Sequence, residues 1–284
     1  MLDAAVFCRN EEDTIGGSLR GLRDQTAGLD PARLPLRAFV MENGSSDRTA
    51  AAARKAAVAL EDPGRFEVLV RAELPAGKAG AWNAFLGEAR APLVAFVDAD
   101  VRLSDGALGA MLDLLTATPA LDLVGATPSV SPDFIPRGFW QDVFTVPYRS
   151  LRPAPSLSGN AYVARRSALT PLPLDTVNED LLLAMRHADR FALCPASRVY
   201  VVPPAGVAAF VLQRARILRG DRIERRRSGQ TVARHRRRAS GDLLAFYRAA
   251  GATKLLAFLA AIAAAAACSR LPGPRTPGWD TRRT

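Results

Sequence analysis

The sequence predicts an α/β domain whose β-sheet is mostly parallel and carries helices on both faces. Short apolar runs alternate with segments of helical periodicity through the first 130 residues. Of the 284 residues, 49% are hydrophobic and 23% are charged, as is typical of a folded globular protein. Strands and helices that alternate at this spacing form βαβ units, and the strands of such units run parallel.

The first unit begins with the apolar run 4–7, which we assign to a strand, and continues with a helix over 14–25. Ile15, Leu19 and Leu22 are spaced by four and three residues, so they share one helix face. Later strands are expected at 36–41, 66–70, 93–97 and 121–126. The helices between them are expected at 47–60, 79–89 and 105–116. Ligands bind beyond the carboxyl ends of parallel strands, so a functional site is expected in the loops that follow them.

The C-terminal half departs from this alternation. Residues 128–158 are rich in proline and aromatic residues, which predicts an irregular segment lying over the sheet. Residues 178–190 predict a helix that begins with acidic residues, which suit the positive end of the helix dipole. Residues 210–238 form a strongly basic helical stretch, and residues 243–268 are rich in alanine and leucine.

The positive charge of the chain is concentrated near its C-terminus. The net charge is +10, yet residues 206–284 carry 17 Lys and Arg against 4 Asp and Glu, which leaves 21 basic and 24 acidic groups elsewhere. A near-neutral body with a basic attachment region is expected from this pattern. Cys8, Cys194 and Cys268 form neither a disulfide framework nor a metal-binding pattern, which favours a reducing cytoplasm.

Acidic and amide residues form four clusters, three of which follow predicted strands. The clusters are Asn10-Glu11-Glu12, the stretch from Glu42 to Asp47, Asp98-Ala99-Asp100, and Asn178-Glu179-Asp180. Two carboxylates that flank one residue directly after an apolar strand repel each other unless they share a cation. Their oxygens suit a hard divalent ion, and such an ion can clamp a diphosphate.

Together with three further segments, these clusters resemble the motifs of the family 2 glycosyltransferases with the GT-A fold. The further segments are Gly77 to Asn83, Ser158 to Arg166, which looks like an acceptor-side glycine segment, and Gln213 to Ile217, which looks like a Q-x-x-R-W motif. The resemblance extends over about residues 4–220. It implies a Rossmann-like GT-A sheet, and we expect a GT-A domain over 1–220.

The resemblance also implies a donor and metal site. The residues expected to hold the base and ribose of a nucleotide are Asn10, Glu12, Glu42 and Asn43. Lys78 is expected near the base or phosphates, and Asp98 on the ribose or diphosphate side. Asp100, with Asp98 beside it, is expected to bind Mn²⁺ or Mg²⁺.

The chemistry of sugar transfer requires the same set of groups. A departing nucleoside diphosphate develops negative charge, which a metal and an arginine stabilise. Gln213 and Arg216 are therefore expected to support the leaving diphosphate or the acceptor. An acceptor hydroxyl has a high pKa, so a carboxylate must take its proton, and the resemblance assigns this general base to Asp180. The alternative for Asp180 is an acid that merely begins a helix. One base without a covalent nucleophile implies inversion at the anomeric carbon.

The substrates are expected to be a UDP-sugar and a lipid-linked or other hydrophobic alcohol. The stretch around Gln213 is similar to that of ceramide and carotenoid glucosyltransferases. Three positions depart from the family pattern: Phe7 replaces proline, Glu42 replaces aspartate and Ile217 replaces tryptophan. The last change removes an aromatic platform for an acceptor sugar, which disfavours processive polysaccharide synthesis.

Residues 221–284 are expected to form a membrane-associating extension. Two arginine clusters, 225–227 and 234–238, precede an apolar run over 255–268. Basic residues near anionic headgroups each add about 1 kcal/mol. The run is shorter than a bilayer span, which favours a core or interfacial helix. The protein is therefore expected on the cytoplasmic face of the cell membrane.

Two other functions are compatible with parts of the sequence. A sugar-phosphate nucleotidylyltransferase also has a doubly wound sheet, but it would need a glycine-rich loop where residues 8–11 have none. A non-catalytic scaffold or nucleic-acid-binding protein could use the arginine clusters. No nucleic-acid motif accompanies those clusters, so no nucleic-acid partner is expected.

Overall fold

The computed structural model describes residues 1–72, 74, 77–150, 160–228 and 239–271. Its strands are β1 (Leu2–Cys8), β2 (Leu36–Glu42), β3 (Phe66–Arg71), β4 (Leu93–Asp98), β5 (Arg102–Leu103), β6 (Leu123–Ser129), β7 (Ala161–Arg165) and β8 (Phe191–Tyr200). Its helices are α1 (Ile15–Asp24), α2 (Thr49–Leu60), α3 (Lys78–Glu88), α4 (Ala107–Ala117), α5 (Phe139–Ser150), α6 (Glu179–Arg186), α7 (Val207–Ser228) and α8 (Ala239–Cys268).

The strands form one sheet in the order β3-β2-β1-β4-β7-β6-β8-β5. β1 to β4 pair only in parallel with one another, as the sequence predicts. β7 is antiparallel to β4 and to β6, and β5 is antiparallel to β8. The parallel register aligns Cys8 with Glu42 and Phe7 with Asp98, so the carboxyl ends of β1, β2 and β4 lie at one edge.

Both faces of the sheet are covered by helices, which confirms the predicted layering. Side chains alternate along a strand, so β1 contributes Leu2, Ala4 and Val6 to one core and Ala5 and Phe7 to the other. The first core is completed by α1, α2 and α4. The second is completed by α3 and α6.

A buried aspartate near the N-terminal end of β1 connects three segments of the chain. Asp3 is fully buried and accepts two hydrogen bonds from the guanidinium of Arg37 on β2, at 2.8 and 2.9 Å. It also accepts from the backbone N–H groups of Arg90 and Ala91, at 2.6 and 2.9 Å. A buried carboxylate with this many donors is compensated, so Asp3 ties β1 to β2 and to the segment that leads into β4.

The chain divides into two compact units. Among the described residues, the first takes in those up to 128 and 160–201, and the second takes in 129–150, 202–228 and 239–271. Within this division, α7 belongs with α5 and α8 in the second unit, and the domain boundary expected at residue 220 stays a prediction.

The second unit has an aromatic core of its own. Phe144 of α5 stacks on Phe210 of α7 at 4.0 Å between ring centroids, and Phe246 stacks on Phe258 within α8 at 4.9 Å. Lys254 of α8 forms an ion pair with Asp142 of α5 at 2.6 Å. These contacts make α8 part of the folded second unit.

The prediction of an irregular segment over 128–158 is wrong where α5 lies. The proline content suggested a break, but Pro147 falls in the last turn of α5, where it removes one helical hydrogen bond and spares the preceding turns. Residues 151–159 lie outside the described part of the chain.

The last helix is apolar and bent. Its segment Leu243–Cys268 is long and apolar enough to cross a membrane, and little of its most apolar stretch is buried. Gly251 interrupts the helix with φ of 79° and ψ of 174°. The large apolar side chains that α8 leaves exposed are Leu243, Leu244, Tyr247, Leu256 and Leu259.

Candidate active site

The loops that follow β1 and β2 are bound to each other by side chains predicted to bind a nucleotide. Asn10 has φ of 56°, a left-handed conformation that asparagine tolerates better than most residues. Its side-chain oxygen accepts from the backbone N–H of Ser46 at 2.8 Å, and its own N–H donates to the hydroxyl of Ser45 at 3.0 Å. Asn10 therefore holds the loop after β1 against the loop after β2.

Glu12 and Asp47 exchange similar contacts at the start of α2. Glu12 accepts from the backbone N–H of Arg48 at 2.9 Å, and its own N–H donates to Asp47 at 3.3 Å. Burial acts to raise the pKa of Asp47, but hydrogen bonds from Thr49 and from the N–H of Glu12 outweigh it and lower that pKa. The Asp47 carboxylate, which helps to hold the two loops together, thus remains ionised at neutral pH.

Glu42 and Asn43, at the end of β2, are both buried. Glu42 accepts a short hydrogen bond from the N–H of Ser45. The side-chain oxygen of Asn43 is buried and has no hydrogen-bond partner among the described residues, and the same holds for Nε and Nη1 of Arg9. Cys8 of β1 is aligned with Glu42 of β2, so Arg9 and Asn43 each come directly after the end of one of two neighbouring strands.

Lys78 lies at the centre of a buried cluster of charged residues. Gly77, with φ of 115°, turns the chain so that α3 begins at Lys78. The ammonium of Lys78 lies 2.8 Å from Oδ1 of Asp98 and 2.7 Å from Oε1 of Glu179. From the sequence, Lys78 is expected near the nucleotide. A contact between Lys78 and Glu179 is not expected, because nothing in the spacing shows that residues 78 and 179 meet.

The negative charge of this cluster exceeds what one ammonium compensates. Burial would lower the pKa of Lys78, but Asp98, Glu179 and Asp180 raise it, so the ammonium is charged. Burial, with the charge of Asp100 and then Asp180, raises the pKa of Asp98 against the opposing effect of Lys78. Three carboxylates therefore act on one buried cation, and a fourth, that of Asp100, acts on Asp98.

This charge balance fits a divalent cation at Asp98 and Asp100. Among the described residues, no three His, Cys, Asp or Glu side chains form a metal-holding group. Protein sites for Mg²⁺ commonly provide only one or two carboxylates, with substrate phosphates and water completing the shell. Asp100 is half-buried at the open end of β4, whereas Asp98 shares its carboxylate with Lys78.

Asp180 lies in the first turn of α6 but does not cap it. The N-cap is Asn178, whose side-chain oxygen accepts from the N–H of Leu181 at 3.1 Å. Glu179 is paired with Lys78. The charge of Asp180 also acts on Lys78, where it helps to raise the pKa of the ammonium.

An aromatic cluster packs beneath these charged residues. Tyr162 of β7 stacks on Phe96 of β4 at 4.6 Å, and the indole of Trp82 donates to the Tyr162 hydroxyl at 3.0 Å. Burial raises the pKa of Tyr162, so its hydroxyl stays neutral. The backbone N–H of Asp98 donates to the carbonyl of Asn160 at 3.0 Å, which fixes the end of β4.

Gln213 and Arg216 lie on α7, in the second unit. Gln213 is exposed and Arg216 is half-buried. Their expected part in supporting a leaving group stays a prediction.

The fold and the family follow from comparison with known proteins. A mannosyltransferase from Pyrobaculum calidifontis, in complex with GDP-Man and Mn²⁺, is 20% identical with a TM-score of 0.62, over 94% of this chain and 86% of its own. Mannosyl-3-phosphoglycerate synthase from Rubrobacter xylanophilus is 21% identical with a TM-score of 0.52, over 82% and 76% of the two chains. TarS from S. aureus, in complex with UDP-GlcNAc, is 18% identical with a TM-score of 0.52, over 92% and 81%.

These likenesses show the fold, which is the one that the sequence predicts. No curated protein matches the chain significantly. The model of the family "Glycosyl transferase family 2" matches residues 3–154, more than half of the sequence. The chain therefore belongs to glycosyl transferase family 2.

Proposed function

We propose that the protein transfers a sugar, with inversion, from a nucleoside diphosphate to a hydroxyl group and that it uses Mn²⁺ or Mg²⁺. The observation that supports this most directly is the cluster around Lys78. It places the aspartates that end β4 beside the acidic first turn of α6. A metal-binding pair and a candidate base are the two groups that such a transfer needs.

The site residues expected from the sequence have the following parts in this proposal. Asp100, with Asp98, would hold the metal ion, which when bound supplies positive charge to the departing diphosphate. Asp180 takes the proton of the attacking hydroxyl. Gln213 and Arg216 support the diphosphate or the acceptor.

The nucleotide in this proposal is UDP. The unpartnered oxygen of Asn43 accepts a hydrogen bond, which suits the ring N–H of uracil. Guanine also carries a ring N–H, so the test includes both bases. The similar structures named above contain UDP-GlcNAc in one case and GDP-Man in the other.

The acceptor in this proposal is a lipid-linked or other hydrophobic alcohol. Its support is indirect: the exposed apolar side chains of α8 and the arginines of α7 would bring the protein to a membrane, where such an acceptor resides. The name of the Rubrobacter neighbour points instead to 3-phosphoglycerate, a soluble acid, as that protein's acceptor.

A donor and acceptor screen tests the proposal. Nucleotide release is measured with UDP- and GDP-sugars in the presence of Mn²⁺, and with EDTA as the control. Each active donor is then offered with a polyprenol, ceramide or 3-phosphoglycerate. Release that requires Mn²⁺ and is stimulated by a lipid supports the proposal. Stimulation by 3-phosphoglycerate alone would overturn the lipid acceptor, and release from no donor would overturn the transfer itself.

A further inference from the structure

Lys78 connects three elements of the first unit. Its side chain leaves the first residue of α3 and reaches Asp98 at the end of β4 and Glu179 at the start of α6. All three residues are buried, with Lys78 only 6% exposed. Asp98 adjoins the proposed metal ligand Asp100, and Glu179 adjoins the proposed base Asp180. The ammonium therefore lies between the donor side and the acceptor side of the site.

We propose that Lys78 is a positioning residue, which holds the donor-side aspartates and the base at a fixed separation and does not bind the nucleotide. The inference rests on the proposed function, since it assigns Lys78 a part in the same reaction. It replaces the expectation from sequence that Lys78 contacts the base or phosphates.

The surroundings of the ammonium support this role. The ammonium lies within 3 Å of carboxylate oxygens of Asp98 and Glu179, and the ring of Phe7 lies 5.3 Å from the nitrogen. Phe7 occupies the position where the family usually has proline, and its aromatic face favours a nearby cation. Carboxylates and an aromatic ring thus enclose the charge that a phosphate would need.

A second contact supports the same link between α3 and the segment before α6. The side chain of Asn83 in α3 donates to the carbonyl of Leu172 at 2.8 Å and accepts from the N–H of Leu172 at 2.8 Å. This pair orients α3 one turn and a half away from Lys78. With the chain so anchored, the direction of the Lys78 side chain determines where Glu179 and its neighbour Asp180 lie.

Removal of the ammonium has opposite effects on metal binding and on turnover. Without the ammonium, Asp98 and Glu179 repel each other, and the first turn of α6 is expected to move. The carboxylate of Asp180 is then no longer positioned to accept the proton of the acceptor hydroxyl. The metal ligands, however, lose a competing cation. A nucleotide-contacting lysine would give another result, because its loss weakens nucleotide binding directly.

The experiment compares Lys78→Met with Lys55→Met, a matched change at an exposed lysine of α2. Mn²⁺ affinity and UDP affinity are measured by calorimetry, and turnover is measured as Mn²⁺-dependent nucleotide release. We expect Lys78→Met to bind Mn²⁺ at least as tightly as the wild type and UDP within about threefold. Turnover should fall by about 100-fold, within the usual contribution of an aligned base. Lys55→Met should resemble the wild type in all three measurements.

Two further variants, Glu179→Gln and Lys78→Met/Glu179→Gln, complete the comparison. If Lys78→Met folds poorly, the double variant replaces it in the binding and turnover measurements, because it removes the Glu179 charge that Lys78→Met leaves uncompensated. Residues that act through one contact are not additive, so the double variant should lose far less turnover than the product of the single losses. A UDP affinity that falls more than tenfold in Lys78→Met would overturn the inference, as would additive losses or an unchanged turnover. If the wild type releases nucleotide from no donor, the proposed function fails. The Mn²⁺ affinity of Lys78→Met then still decides the inference, because weaker binding contradicts it.

Discussion

At the scale of single residues, acidic side chains in this site have different tasks set by their neighbours. Glu179 and Asp180 are adjacent in sequence, yet Glu179 lies 2.7 Å from the ammonium of Lys78, whereas Asp180 is the next residue in the first turn of α6. Asp98 and Asp100 differ likewise, since Asp98 is buried and lies 2.8 Å from Lys78, whereas Asp100 is half-buried. The chemistry of each carboxylate is therefore tested by changing it alone.

The general base is tested by Asp180→Asn, which keeps the shape of the side chain and removes the proton acceptor. A base acts only when the hydroxyl attacks, so donor affinity should stay within a few-fold while the single-turnover transfer rate falls by roughly 10²–10⁴-fold. Asp189→Asn, at an exposed position beyond α6, is the control. A variant with the wild-type rate would remove Asp180 from the mechanism and leave Glu179 as the next candidate.

The metal site is tested by Asp100→Ala. The lost carboxylate is half-buried at a strand end, so the variant should keep its thermal stability but lose Mn²⁺-dependent binding of UDP. Calorimetry with and without Mn²⁺ measures this, and Asp105→Ala, an exposed aspartate of the following loop, serves for comparison. Equal UDP affinity in Asp100→Ala and the wild type would contradict the assignment.

At the scale of elements, a buried aspartate at the start of β6 connects that strand to β8 and α6. Asp122 accepts from Arg190 at 2.7 Å, and Nδ1 of His187 lies 3.0 Å away from it. Its N–H donates to the carbonyl of Arg190, and its carbonyl accepts from the N–H of Arg165 in β7. The side chain and backbone of Asp122 thus hydrogen-bond to the segment that leads into β8 and to β7.

This contact predicts a loss of stability in acid. Burial acts to raise the pKa of Asp122, but the hydrogen bonds from Arg190 and His187 outweigh it and lower that pKa. A pKa that is lower in the folded state stabilises the protein above the ordinary value for Asp, about 4, and the stabilisation is lost as the pH falls further. Asp122→Asn should therefore lower the melting temperature most at neutral pH, and its difference from the wild type should shrink towards pH ~2–3.

Calorimetric melting from acid to neutral pH measures the effect. Asp113→Asn is the control, because the carboxylate of Asp113 is 72% exposed and should matter little at any pH. A difference between Asp122→Asn and the wild type that stayed constant with pH would show that the carboxylate charge is not what stabilises the contact.

The elements also show where sequence reasoning succeeds and where it stops. The βα units were predictable because each strand is a short apolar run and α1 repeats its apolar residues at helical spacing. α5 was not, because its composition suggested a break, whereas the helix forms with Pro147 inside it, near its C-terminal end. β7 was not predicted, because the segment 158–166 was interpreted as part of a ligand site. Its residues Ala161 to Ala164 are all buried in the sheet.

The site was predictable only in part, for a related reason. Residues at the ends of β1, β2 and β4 could be grouped, since parallel strands end at one edge. The contact of Lys78 with Glu179 could not be predicted, because the packing of α6, about a hundred residues later in the chain, is what brings Glu179 to Lys78. Asn10 and Glu12 were expected to bind a ligand, and their hydrogen bonds to the second loop were not foreseen.

At the scale of the whole molecule, we propose that the protein attaches to an anionic membrane surface. The second unit carries most of the basic excess, and α8 adds exposed apolar side chains to it. The arginine cluster at 234–238 lies outside the described residues. Truncation of the chain before α8 would be a poor test, because Phe246 and Ala261 are buried in the core of that unit.

The attachment is tested by Leu244→Gln/Leu256→Gln, at positions that are 49% and 66% exposed. Loss of two apolar contacts should reduce co-sedimentation with phosphatidylserine vesicles by about tenfold or more, with the fold unchanged. The matched control is Val58→Gln/Leu174→Gln, at exposed positions of the first unit. Equal vesicle binding in all forms would contradict the proposal, and tight, salt-sensitive binding to duplex DNA would favour a nucleic-acid partner.

The bend at Gly251 limits what α8 can do in a lipid bilayer. Between the bend and Cys268 the helix has 17 residues, a length of about 26 Å at 1.5 Å per residue, whereas the hydrocarbon layer is about 30 Å thick. To cross, the helix would need the turn before Gly251 as well, and the backbone groups released at the bend would then lie in hydrocarbon without water. A single glycine therefore makes an otherwise adequate membrane-spanning sequence better suited to lying along the interface.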